Sequence, residues 1–188
     1  MLSDTHILFV MHTRITHFLE VFRDFTAPKC KAYTIIDHPL HPLAGTTSKL
    51  TVYRKKRVVA RRILSRIPGP YTLNFLKDFF LTIWWGLTNG AVYDLGIGAN
   101  NLNALSLLIL KKLGRVKKVI FMCVDYSPSR YDNRVLDWIY HWMDRMCCYH
   151  ADVIWNSSGR MNEARVKRGV DGARIAHTIV MPDGSNFN

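Results

Sequence analysis

The stretch AVYDLGIGANNLNALSLLILKKLGRVKKVIFMCV, Ala91–Val124, decides the fold. Ala91–Ile97 is a short apolar run and reads as a strand. Asn101–Leu113 carries its apolar residues at helical spacing, and Gly114 closes that helix. Lys117–Val124 is apolar again and reads as the next strand. A strand–helix–strand unit of this length is built to join parallel strands of one sheet. Working upstream, His6–Met11 and Lys31–Ile36 read as strands, and Ile15–Phe25 and Tyr71–Leu87 as helices. Pro68-Gly69-Pro70 breaks the chain before the second helix and Asn89-Gly90 after it. Downstream, Asn133–Tyr149 reads as a helix, Asp152–Trp155 as a strand, Ser158–Lys167 as a helix with Ser157 or Ser158 as its cap, and Ala176–Met181 as a strand. The expectation is α/β: a Rossmann-like open parallel sheet of six strands with helices on both faces. Ligands of such sheets bind at the carboxyl ends of the strands.

The chain has 188 residues, enough for one domain with a real core, and 48% of them are hydrophobic. Its 26 Lys and Arg stand against 14 Asp and Glu, a net charge of +12 that favours anionic partners. The four cysteines, Cys30, Cys123, Cys147 and Cys148, form neither a disulfide framework nor a zinc spacing, and read as free thiols in a reducing cytoplasm. No metal site is expected. Tyr71–Leu87 is the most apolar long segment, but Lys77 and Asp78 interrupt it, so no spanning helix is expected. No signal peptide is read at the N-terminus. The expected location is cytoplasmic, with a peripheral place on the inner membrane face in view.

Tyr53–Arg66 carries seven Arg or Lys and no acid. Val58, Val59, Ile63, Leu64 and Ile67 fall at helical spacing, which predicts a basic amphipathic helix. Two readings stand side by side: a dock on anionic lipid using Arg54, Lys55, Lys56, Arg57, Arg61 and Arg62 with Trp84 and Trp85, or a solvated basic face. Nucleic acid is a weaker third, since no nucleic-acid motif accompanies the charge.

Gly96 and Gly98 end one strand, and Asp125 ends a later one. This arrangement is similar to the cofactor site of S-adenosylmethionine-dependent methyltransferases. The order argues against it, because two strands precede the glycine turn here. The plainer reading is that the glycines permit a tight strand-to-helix turn.

The ordered set GAVYDLGIGANN, Asp125-Tyr126-Ser127-Pro128, Arg130 with Asn133, Tyr140-His141, Asp144-Arg145, Ala151-Asp152, Trp155-Asn156 and Pro182-Asp183-Gly184 resembles the N-terminal domain of GT-B glycosyltransferases of the family-four type. The resemblance covers about Ala91–Phe187; residues 1–90 match in fold pattern only. It implies a single acceptor-binding domain over residues 1–188. The interdomain linker would begin at about 182–188, with the donor-binding C-terminal domain absent from this chain. It implies transfer of a sugar from a nucleotide-diphosphate donor to a glycan or lipid-linked acceptor in the intact enzyme. No cofactor would be bound by this chain, and the chain alone would be inactive without a donor half in cis or trans. A non-catalytic half that binds membrane or acceptor is the alternative.

Within that frame Asp125 takes the catalytic position, at a strand end where relatives carry a His. Its alternative is a turn cap or an ion pair with Arg130. Arg130 and Arg160 are candidates for phosphate, Arg130 with a surface ion pair as its alternative. His12, His17, Asn100 and Asn156 are candidates to line the acceptor cleft. Both histidines have structural readings beside that one. Trp138, His141 and Trp142 share a helix at a spacing that predicts core packing.

Overall fold

The computed structural model describes residues 2–13, 17–40, 47–55, 57–65, 67 and 70–181. In chain order the elements are β1 (His6–Thr13), α1 (His17–Thr26), β2 (Ala32–Pro39), β3 (Thr47–Arg54), β4 (Arg57–Ser65), α2 (Tyr71–Thr88) and β5 (Tyr93–Ala99). They continue as α3 (Asn101–Lys112), β6 (Val116–Cys123), α4 (Arg134–His150), β7 (Val153–Asn156), α5 (Arg160–Lys167) and β8 (Thr178–Val180). One eight-stranded sheet runs in the order β4-β3-β2-β1-β5-β6-β7-β8. Its six strands from β2 to β8 are parallel, while β3 and β4 pair antiparallel at one edge.

β1 is central, and alternate residues feed two cores. Leu8 and Val10 join Leu81 and Trp85 of α2, Leu107 and Leu110 of α3, and Cys147 and Cys148 of α4. Ile7, Phe9 and Met11 face the other way, where Phe22 of α1 stacks on Phe9. So α2, α3, α4 and α5 cover one face and α1 the other, the open α/β architecture the sequence predicts.

The boundaries follow local chemistry. Gly114, at φ 72°, ends α3 in the left-handed region, and Arg115 N–H returns to the Leu110 carbonyl at 2.8 Å. Asn133 caps α4, its Oδ1 accepting from Val135 and Leu136 N–H at 3.0 and 3.1 Å. The turn from β5 into α3 is made by Asn100, at φ 82°, rather than by the glycines. Gly98 serves packing: a Cβ there would lie 2.5 Å from the Ala104 backbone nitrogen.

The basic segment departs from expectation. It is not a helix but the second half of a β-hairpin, β3 and β4, so the sheet has eight strands and not six. Val58, Val59 and Ile63 satisfy helical spacing, but they are β-branched and pair well across a pleated strand. Arg54 faces Arg57 across the turn, where Lys55 has φ 46°, the positive φ a tight hairpin requires. Val59 is the extra residue of a bulge, since Val52 pairs with Ala60 and Tyr53 with Val58.

Candidate functional site

The strand order reverses between β1 and β5. β2 and the hairpin lie to one side, and β6, β7 and β8 to the other. Open α/β sheets bind ligands in the crevice outside such a switch point. Two residues singled out from sequence meet there. His12 closes β1 and Asn100 follows β5, with Asn100 Nδ2 3.5 Å from His12 Nδ1.

Behind His12 lies a buried charge cluster. Its Nε2 is 3.3 Å from Asp78 Oδ2, without hydrogen-bond alignment. Asp78 Oδ1 takes the Ser48 hydroxyl at 2.9 Å, the Lys77 ammonium at 2.8 Å and lies 3.2 Å from His38 Nδ1. The Ser48 proton is committed to Asp78, so Ser48 Oγ accepts from Lys77 at 3.1 Å and from His38 Nδ1 at 3.0 Å. That leaves His38 Nε2 to accept the Thr82 hydroxyl at 2.8 Å. Trp85 stacks nearly parallel on His38, and Phe75 meets His12 edge-on. Burial pushes His38 down to about 4 against the opposing pull of Asp78, so it is neutral near pH 7. Burial pushes the Asp78 carboxyl up, but His12, His38 and Lys77 outweigh it and hold it well below the usual carboxylate range. With Asp78 facing Nε2, the Nδ1 side of the His12 ring is turned to Asn100 at the crevice.

A second cluster lies under β6 and β7. Arg165 is fully buried and grips Asp144 with Nε at 2.9 Å and Nη2 at 3.0 Å. Its Nη1 donates to Asn156 Oδ1 at 3.0 Å, and the guanidinium lies near the Tyr126 and Phe121 rings. Burial disfavours the cation, yet Asp144 more than compensates and raises its pKa. Above it, the β6–α4 loop carries Asp125, which pairs with Arg130 at 2.6 Å, both at the surface. That loop is pinned from below, because Asp137 Oδ1 accepts from Arg130 N–H at 2.8 Å and Pro128 O lies 3.1 Å from His141 Nε2.

Thus His12, Asn100, Asp125 and Arg130 all lie at the carboxyl edge, and Arg160 is exposed at the start of α5. The side chain of His17, and Lys56 altogether, lie outside the described residues. Three expectations are corrected. Asn156 does not face the cleft; it is 1% exposed because Arg165 and Asn162 consume its amide. Trp85 is core beside His38, leaving Trp84 alone on the surface. His141 is buried as expected, but Trp138 and Trp142 are exposed. Asp78, His38, Lys77, Ser48 and Thr82 were not anticipated. Their signal is faint: one acid in an apolar helix, with Asn74, Thr82 and Trp85 four before, four after and seven after it on one face.

No protein-family model and no curated protein matches the sequence. Among solved structures, the chain is similar to a crystal structure of UDP-N-acetylglucosamine 2-epimerase, with a TM-score of 0.54 and 11% identity. What is shared is the fold, a Rossmann-like sheet of the GT-B kind. The match takes in 95% of this chain and 48% of the other, so the chain spans about half the length of that neighbour.

Proposed function

We propose that the chain is the acceptor-binding half of a GT-B glycosyltransferase of the family-four type, acting on a glycan or lipid-linked acceptor. The observation that carries this reading is the meeting of His12 and Asn100 at the switch-point crevice, with Asp78 ionised behind His12. The ordered resemblance over Ala91–Phe187 and a fold shared with half of a UDP-N-acetylglucosamine 2-epimerase support it. In the intact enzyme an acceptor hydroxyl hydrogen-bonds to Asn100 and His12. Its oxygen bonds to the sugar carbon as the bond to the nucleoside diphosphate breaks. The hydroxyl proton passes to a base at the crevice, His12 Nδ1 or Asp125. Arg130 and Arg160 supply positive charge at the same edge for phosphate groups of donor or acceptor. The donor itself is held by a companion domain, in cis or trans.

Amide NMR on the 188-residue chain tests this. A polyprenyl-phosphate-linked sugar in micelles, or free oligosaccharides, should shift residues 99–103 and 124–130 saturably. UDP-N-acetylglucosamine should bind weakly or not at all without the companion domain. Silence across the acceptor panel would overturn the reading. Saturable S-adenosylmethionine binding at Gly96–Asn100 would replace it with methyl transfer, against which the close α3 backbone at Gly98 weighs.

A further inference from the structure

The outward side of the helix layer is apolar where a soluble surface is ordinarily charged. On α2, Leu73, Leu76, Phe80 and Trp84 recur at spacings of three and four and are all exposed, Phe80 by 59% and Trp84 by 62%. α3 packs between α2 and α4, with Leu102, Leu105 and Ile109 half-buried. α4 then presents Val135, Trp138, Ile139 and Trp142, with Val135 and Trp138 each 65% exposed. Helices packed side by side lie about 8–10 Å apart, so three of them make a face roughly 20 Å or more across. Patches of that extent on a monomer mark an interaction surface.

Charge identifies the occupant. Every acid on these three helices, Asp78, Asp137 and Asp144, is turned inward and buried. The exposed charges are cations, Lys112 on α3 and Arg134 on α4. Next to α2 runs the exposed strand β4, tied on by Arg62, which donates to Thr88 Oγ1 at 2.8 Å. Between His38 and Lys77 the sequence has no acid at all. Arg54, Arg57, Arg61 and Arg62 form no ion pair among the described residues. A nucleic acid would match the cations but not the aromatic stripes. A protein partner would match the stripes without requiring the cations. Aromatic and aliphatic side chains bordered by Arg and Lys match the headgroup boundary of an anionic bilayer. No described helix is long and apolar enough to cross a membrane, so the contact is one of lying on the surface.

We infer that the outer face of α2, α3 and α4 docks on an anionic membrane surface, with the β3–β4 hairpin adding electrostatic attraction. The hairpin alone is not the dock. The docking stands independently of glycosyl transfer. Where both hold, the crevice at the amino ends of these helices sits at headgroup level, within reach of a lipid-linked sugar.

The test is flotation of the full chain with vesicles of phosphatidylcholine alone and with about 30% phosphatidylglycerol, at low and high salt. Phe80→Gln/Trp84→Gln and Trp138→Gln/Trp142→Gln alter exposed positions, and far-UV circular dichroism checks that they fold. The wild type should float with the anionic vesicles only, and each aromatic pair should weaken binding about 10-fold or more. Arg57→Gln/Arg61→Gln should weaken it several-fold and flatten its salt dependence. Absence of binding to either vesicle, or aromatic variants that bind like wild type, overturns the inference. So does a lipid-free dimer, seen by sedimentation, that the aromatic variants abolish, since the face then belongs to a second copy. Loss of docking with intact acceptor shifts at residues 99–103 would leave the transferase reading standing.

Discussion

The two buried charge clusters sit under the same carboxyl edge, yet they are built to different ends. Arg165 and Asp144 saturate each other: two hydrogen bonds join them, Asn156 takes a further N–H, and aromatic rings lie close to the guanidinium. Burial disfavours the Arg165 cation, but Asp144 holds it charged, and nothing is left over for a ligand. The Asp78 cluster surrounds one carboxylate with two histidines, a lysine and a serine, and His12 meets it out of hydrogen-bond alignment. The other ring nitrogen of His12 lies at the crevice, 3.5 Å from Asn100 Nδ2. The first cluster spends its charge on holding β6, β7, α4 and α5 together. The second has reserve for chemistry.

The sharpest way to break this contrast is Arg165→Met, which leaves Asp144 buried and unpaired. It should cost about 3–5 kcal/mol in urea unfolding. A cost near zero would show that the cluster is not the clamp described.

pH separates the clusters next. His38 must stay neutral to remain folded, so between its ordinary value and about 4 the unfolded chain binds more protons than the folded one. Asp78 acts in the same direction at lower pH, since its folded carboxyl titrates below its unfolded value. Stability should therefore fall as pH drops from about 6.5 to 4, by about 3 kcal/mol from His38. His38→Gln should flatten that window. An unchanged slope would move the titration elsewhere.

Gly98→Ala probes the floor of the crevice between the clusters. Its Cβ would meet helix backbone, which cannot swing away as a side chain does. A loss of about 1–3 kcal/mol in thermal unfolding is expected. A neutral result would mean that α3 shifts freely.

The smallest stability effect belongs to Asp125→Asn, where an exposed ion pair is lost and the cost should stay below about 1 kcal/mol. In the intact enzyme the same change, set beside His12→Gln, sharpens the assignment. The residue acting as base should lower turnover about 100-fold, and the other far less.

Much of this was legible in the residues. The apolar runs of β1, β2, β5 and β6, the cap at Asn133 and the stop at Gly114 are local features, decided within a few residues by hydrophobic burial and backbone conformation. They led to the parallel sheet, and with it to the edge where His12, Asn100, Asp125 and Arg130 lie. The hairpin was not legible, because Val58–Leu64 satisfies the helical period and the strand pairing alike. What settles it is the partner strand, Thr47–Arg54, offering open backbone hydrogen bonds. Asn156 and Trp85 were misplaced for a related reason: exposure depends on which distant side chain arrives. The α/β order, the basic excess and the candidate edge follow from local pattern and composition, and so are readable from the residues. The assembled fold puts Asp78 behind His12, joins Arg165 to Asn156, and leaves Phe80, Trp84, Trp138 and Trp142 exposed on the helices that flank α3. Burial, ion pairing and a common surface arise between segments far apart in the chain.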